Sequence, residues 1–201
     1  NSNSVMLKVL CEKSGATTEI FPIIGDHLSD LKTQISDAAS NSDILITTGG
    51  VSVGKYDLTK LALKELGAAI FFERVRLKPG KPTVFAKLNK TLLFGLPGNP
   101  VSAAVTYYLF VQKAILQMQS AASTDLKNGF AIAARPVRGA KERDTYLPAS
   151  VSTDNNGVLF AEPLNWQGSS DFIGFARADA LIFVPRGKAF ELGKPVKILY
   201  F

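Results

Sequence analysis

The chain has 201 residues, 46% of them hydrophobic and 20% charged, which fits soluble globular structure with room for one large domain or a domain and a small companion. Net charge is +6, yet the basic residues are scattered and no aromatic-plus-basic module accompanies them, which argues against nucleic acid and leaves a small phosphate-bearing ligand. A single cysteine, Cys11, and a single histidine, His27, exclude an internal disulfide and any thiol or imidazole metal cluster, and they suit a reducing cytoplasm.

In chain order, residues 4–14 read as a helix with Cys11 as a buried filler, and 17–23 ("TTEIFPI") as a strand. Leu28, Leu31, Ile35 and Ala38 recur at helical spacing. His27, just before them, reads as a surface residue of that helix's first turn. The run "DILITT" closed by glycines reads as a strand buried on both faces. Leu58, Leu61, Ala62 and Leu66 form a second helical stripe, which Gly67 ends as a C-cap. "AAIFFERV", "TVFAKL" and "TLLFGL" follow as strands, and Pro100 then opens a long helix capped by Asn99. The apolar run at 101–111 is interrupted by Ser102 and Thr106 and ends at Gln112 and Lys113, too short to span a membrane. Strands alternating with helices give an α/β domain over 1–119, with a mainly parallel sheet covered on both faces.

Residues 120–127 are small and polar and read as a linker. From 128 to 201 short apolar runs alternate with turns, among them Asp154-Asn155-Asn156-Gly157, the mark of a hairpin. This part reads as a small all-β domain, barrel or sandwich, with one short helix in "SSDFIGFARA". No secretion leader is read. The opening "NSNSVML" has no initiating Met and reads as the start of a fragment.

Three loops carry the candidate chemistry. Gly49 to Lys55 fits the phosphate-loop pattern G-x-x-x-x-G-K, but Tyr56 stands where Ser or Thr should hold magnesium, and the loop comes mid-domain. It is therefore not an ATPase loop. Gly49, Gly50 and Gly54 can instead turn backbone N–H groups toward an anion, with Asp57 capping the next helix. In "LKPGKP", Lys78 and Lys81 supply charges on a turn stiffened by Pro79 and Pro82. In "GLPGNPVS", Gly98 and Asn99 bring a helix N-terminus to the surface. Each loop alone has an ordinary structural explanation. All three after strands of one sheet predict a ligand site beyond the strands' carboxyl ends.

"TTGGVSVGKYD", "LKPGKP" and "FGLPGNPVSA", in this order, resemble the signature of the molybdopterin molybdenumtransferases, the MoeA and gephyrin E-domain family. "NSNSVML" is similar to the D-S-N segment that opens the family's molybdopterin-binding domain, with Asn1 where Asp is usual. "WQGSSDFIGFARADALIFVP" resembles its final β domain. The resemblance implies a three-layer molybdopterin-binding domain followed by a barrel-like domain. It also implies the last step of molybdenum cofactor synthesis: molybdate enters adenylylated molybdopterin and AMP leaves, assisted by Mg2+. Asp26 and Asp57 would bind the metal and hydrolyse the adenylate. Gly49, Gly50, Ser52, Gly54, Gly95, Gly98 and Asn99 would hold the pterin and its phosphate. Lys78, Lys81 and Pro82, with Ser169 and Ser170, would hold molybdate. The sequence departs from the family's G-R-x-x-F-x-R pattern, with Arg143 at the first arginine and Pro148 at the second. Family members carry further domains upstream and form homodimers, so this chain reads as a pterin-binding half. The alternatives are a molybdopterin adenylyltransferase-like enzyme, which would lack the β domain, or a non-catalytic module binding molybdopterin or a protein.

Overall fold

The computed structural model describes residues 2–23, 27–49, 58–165, 168 and 171–201. The chain divides into two compact units, Asn1–Val75 with Gly80–Thr124, and Arg76–Pro79 with Asp125–Phe201. The division at 124 falls inside the expected linker. Arg76–Pro79 join the second unit, a departure from the expected α/β domain over 1–119.

The first unit begins with α1 (Ser2–Lys13), α2 (Leu28–Ser40), β1 (Ile44–Thr48), α3 (Leu58–Glu65) and β2 (Ala69–Phe72). After β3 (Leu77–Lys78), which belongs to the second unit, it continues with β4 (Val84–Leu88), β5 (Thr91–Leu96), α4 (Pro100–Thr106) and α5 (Gln112–Met118). A π-helical turn, Tyr107–Val111, joins α4 to α5, so the expected long helix runs from Pro100 to Met118. The strands form one sheet in the order β1-β5-β4-β2.

That sheet is mixed, which corrects the mainly parallel expectation in one respect. β1 pairs parallel with β5, while β4 runs antiparallel to both β5 and β2. The cause is the two-residue connection after Leu88, where Asn89 takes a positive φ of 54° and returns the chain at once as β5. β1, β5 and β2 still point the same way. A second correction concerns 17–23, which form no strand. Gly15, at φ 84°, turns the chain out of α1, and Pro22 has no N–H to give to a ladder. The segment and the edge strand β1 both line a cavity of about 930 Å³, with Thr17, Ile20, Ile35, Ile46, Thr48 and Gly49 among its walls.

Helices cover both faces of the sheet. Ile35, Ala39, Ala62 and Leu63 pack from α2 and α3 onto Val84, Ala86, Leu88 and Leu93. The α3 stripe is rotated from the expected one, for Leu63 is buried whereas Leu61 is 44% exposed. Gly67, at φ 73°, caps α3 as expected, its N–H bonding Lys64 O and the Ala68 N–H bonding Leu63 O. On the other face Leu7 and Cys11 of α1 and Tyr107, Val111 and Ile115 pack onto Phe94 and Leu96. Burial pushes the Cys11 thiol up, in keeping with an inert filler.

The second unit contains β6 (Asn128–Ala133), β7 (Val137–Arg138), β8 (Asp144–Thr153), β9 (Leu159–Pro163), α6 (Phe172–Phe175), β10 (Ala180–Val184), β11 (Ala189–Phe190) and β12 (Pro195–Tyr200). Its sheet runs β10-β12-β6-β9-β8, and β8 pairs back onto β10, which closes a barrel. The choice between barrel and sandwich is thereby made. β3 attaches to β8 in parallel. Small and branched residues such as Ala133, Ala161, Ile182 and Ile198 fill the interior. The expected hairpin joins β8 to β9, with the Asp154 carboxylate accepting from Asn156 N and Val158 N and Gly157 at φ 81°. Asp171 caps α6, its carboxylate accepting from Gly174 N.

The Tyr107 hydroxyl donates to Leu10 O at 2.8 Å and lies 2.8 Å from Ser14 Oγ, deep between α1 and the helix that starts at Pro100. Tyr107→Phe should lower the stability at pH 7 by about 1–2 kcal/mol in urea unfolding. Burial raises the phenol above its ordinary pKa, as it does for Tyr108 and Tyr146. A raised folded pKa means stability is complete below the unfolded value of about 10 and is lost as pH rises beyond it. The variant should therefore show a shallower loss of stability above about pH 10 than the parent. An unchanged alkaline slope would contradict the burial of this phenol.

Candidate functional site

β1 and β5 are in register through Thr47↔Gly95 and Thr48↔Leu96, and β4 joins the same row through Val84↔Gly95. The chain therefore leaves β1, leaves β5 and enters β4 at one end of the sheet. β2, parallel in direction to β5, also ends there, with Phe72 paired to Phe85. The crevice beyond the carboxyl ends of strands is where open α/β sheets bind ligands.

Contacts at this rim are close. Gly49 N donates to Leu96 O at 3.3 Å, carrying the pairing one residue past β1. Gly49 has φ 82°, the left-handed region that the glycine-loop reading required. Gly98 approaches so near that a Cβ built on it would lie 3.5 Å from Gly49 Cα. Asn3, in the first turn of α1, ties the end of β1 to the turn after β5: its Nδ2 donates to Thr48 Oγ1 and to Gly98 O, each at 2.8 Å. Thr48 Oγ1 donates onward to Pro97 O at 3.3 Å. Asn3 is 5% exposed, and among the described residues its Oδ1 and the Thr47 Oγ1 are buried side-chain atoms without a hydrogen-bond partner.

The expected site residues distribute as follows. Gly49, Gly98 and Asn99 stand together at the rim, with Gly98 and Asn99 exposed ahead of the helix that Pro100 opens. Asn99 occupies the N-cap position in extended conformation, and its carbonyl accepts from Ala103 N. Gly95 lies inside β5, buried between β1 and β4 rather than in the loop. Lys81 is exposed and Pro82 half-buried just before β4, and Lys81 O accepts from Val75 N. Lys78, exposed, belongs to the second unit, where β3 aligns it with Thr145. Asp26, Gly50, Ser52, Gly54, Asp57, Ser169 and Ser170 lie outside the described residues. Among the described residues no group of three His, Cys, Asp or Glu side chains gathers that could hold a metal ion, and no helix is long and apolar enough to cross a membrane.

Asn3 and Thr48 went unassigned as site residues. The available signal was the "SN" pair opening α1, because a polar side chain on a helix start that the sheet buries needs partners nearby.

The description "Probable molybdopterin binding domain" matches residues 1–117, and "MoeA C-terminal region (domain IV)" matches residues 131–201. The chain belongs to the MoeA and gephyrin family. It is 34% identical over 209 residues to the molybdopterin molybdenumtransferase of Nostoc sp., covering 99% of this chain and 47% of that protein. It is 32% identical to the Bacillus subtilis molybdopterin molybdenumtransferase, covering 99% and 46%, and 33% identical to Dictyostelium discoideum gephyrin, covering 88% and 28%. The chain thus spans about half the length of the molybdopterin molybdenumtransferases it matches. Among solved structures, a molybdopterin biosynthesis moeA protein from Pyrococcus horikoshii OT3 superimposes with TM-score 0.76 at 24% identity, covering 99% of this chain and 46% of that one. A molybdenum cofactor biosynthesis protein from Pyrococcus furiosus superimposes with TM-score 0.79 at 17% identity, covering 100% and 65%. These two likenesses concern the fold.

The rim geometry separates two glycines that the sequence treats alike. Gly49→Ala forces a side chain into positive φ and should cost about 1–2 kcal/mol in thermal or urea unfolding. Gly98→Ala meets Gly49 Cα at ordinary contact distance and should change stability by no more than about 0.5 kcal/mol. Equal costs would mean that the two loops do not approach as described.

Proposed function

We propose that this chain is the pterin-binding half of a molybdopterin molybdenumtransferase, which inserts molybdate into adenylylated molybdopterin and releases AMP. The observation that carries the reading is the rim itself. Thr48-Gly49 at the end of β1 and the Gly98-Asn99 turn after β5 are held side by side by Asn3, at the carboxyl end of the sheet and inside the region matched by the molybdopterin-binding description. The match of the barrel to the MoeA C-terminal region favours the transferase over an adenylyltransferase-like enzyme without that domain.

In this proposal Gly49, Gly50, Ser52 and Gly54, with Gly98 and Asn99, present backbone N–H and hydroxyl groups to the pterin and its phosphate. Lys81, exposed at the same end of the sheet, supplies a point charge for the molybdate dianion with Pro82 fixing its turn. Asp26 and Asp57 offer the hard oxygen donors that Mg2+ prefers, and the ion when bound would neutralise phosphate charge. The full-length protein acts as a homodimer in the cytoplasm, completing the site with the domains absent from this chain.

Calorimetric titration of this chain with molybdopterin and with its adenylate tests the proposal. Binding is expected, without AMP release from the chain alone. Absence of binding to either compound overturns it. Lys81→Ala should weaken molybdate binding about tenfold, the loss of one charge-assisted contact, with molybdopterin affinity within about twofold of the parent. Equal loss of both ligands would remove Lys81 from the molybdate site. In the full-length enzyme, Asp57→Ala should abolish magnesium-dependent cleavage of the adenylate and spare pterin binding.

A further inference from the structure

The rim depends on one side chain, Asn3, which the functional reading uses as a tie without asking why that residue type stands there. Asn3 spends both protons of its amide on the two loops, one on Thr48 Oγ1 and one on Gly98 O. A carbonyl oxygen can only accept. The Thr48 hydroxyl sends its own proton toward Pro97 O, so it too must accept at this point. The position therefore needs two donors on one small planar head set at a helix start. A side-chain amide provides them, and an isosteric carboxylate provides none.

The same residue is poorly explained as a stabiliser of the fold alone. Its Oδ1 is buried and unpaired among the described residues, next to a sheet row where Thr47 Oγ1 is unpaired as well. Native interiors rarely leave such acceptors unsatisfied. Thr91, at the opposite end of β5, shows what a structural polar residue looks like here: its hydroxyl reaches Ala39 O and Ser42 O, and the side chain ties α2 to the sheet.

We infer that Asn3 is a positioning residue for the molybdopterin site, whose amide sets the separation of Thr48-Gly49 and the Gly98-Asn99 turn before ligand arrives. The inference rests on the reading of the rim as the pterin site. Its physical effect is preorganisation. Two loops held by short hydrogen bonds lose less freedom when a ligand bridges them than two loops that move independently. Gly49 reports directly on this, because its N–H bonds Leu96 O only while β1 and β5 stay in register past Thr48.

The test compares Asn3→Asp with Thr91→Val, two changes that retain side-chain size and remove buried hydrogen bonds at opposite ends of the sheet. Two readouts are taken on the 201-residue chain. Residue-resolved amide exchange without ligand should show Gly49 exchanging at least about tenfold faster in Asn3→Asp, with Ala86 in the middle of β4 unchanged, and Gly49 within about twofold of the parent in Thr91→Val. Titration with molybdopterin should show at least about tenfold weaker binding in Asn3→Asp and less than about twofold change in Thr91→Val. Unchanged Gly49 exchange in Asn3→Asp overturns the positioning role whatever the titration gives. Faster exchange with unchanged affinity overturns it too, leaving a tie that ligand binding does not use. If the parent chain binds no molybdopterin, the proposed function fails, and a positioning role for this ligand fails with it. The exchange result then states only whether the tie exists. Should Asn3→Asp not fold, Asn3→Ala carries the same two readouts.

Discussion

The register between β1 and β5 is the constraint on which the first unit depends. Parallel strands place their carboxyl ends side by side, and here Thr48 stands opposite Leu96, so the two following loops start from the same level. Reversing β4 does not disturb this. An antiparallel strand beside β5 begins where β5 ends, and Val84 opposite Gly95 brings the turn carrying Lys81 to the same end. A mixed sheet thus delivers what a fully parallel one would: three connections, separated along the chain, at one rim.

Holding the register takes more than the ladder, because among the described strands β1 stands at the edge of the sheet with β5 as its one neighbour. Helix α1 supplies the missing support. At its start Asn3 bonds Thr48 and Gly98, and at its end Leu10 O and Ser14 receive or meet the Tyr107 hydroxyl, while Ser14 O accepts from Gln119 Nε2 at 3.0 Å. The helix is therefore fixed at both ends against the helix from Pro100 to Met118, which itself follows directly from the Gly98-Asn99 turn. Apolar packing of Leu7 and Cys11 on Phe94 and Leu96 supplies the area between these ties, at roughly 25 cal/mol per Å² of apolar surface removed from water. The hydrophobic layer gives the adhesion and the few polar bonds give the position.

What the sequence made legible follows from the range of the forces involved. The α2 stripe, the Gly67 cap, Pro100 at a helix start and the Asn155-Asn156-Gly157 turn are local. Their geometry is set by a few neighbouring residues, and the structure has them where the pattern placed them. Some departures turn on a single residue's backbone, and the others are nonlocal. The return of β4 depends on a positive φ at Asn89, followed by Lys90, a turn without glycine. Leu63 is buried instead of Leu61 because the sheet, not the stripe, decides which side of α3 is inside. Arg76–Pro79 join the barrel through β3, whose partner Asp144 lies far along the chain. Gly95 was grouped with a loop although pairing on both sides keeps it in the strand. Asn3 was legible as part of a motif, but its partners Thr48 and Gly98 come from two other segments and only folding brings them together.

The described part of the rim in the first unit is made of neutral groups: the Asn3 amide, the hydroxyls of Thr47 and Thr48, and the backbone of Gly49 and Gly98. Among the described residues, the exposed Lys81 ahead of β4 brings a charge to the same end of the sheet. This separates shape from charge in a physically useful way. Neutral donors and acceptors held by backbone geometry keep their arrangement across the pH range in which histidines titrate, and salt screens them little. A lysine on a proline-stiffened turn acts at longer range and responds to ionic strength. A ligand with a flat, hydrogen-bonding ring and an anionic tail has the same division within itself. That match between a neutral cradle and an adjacent cation is a stronger argument for the pterin reading than the net charge of +6, which any anion would satisfy equally.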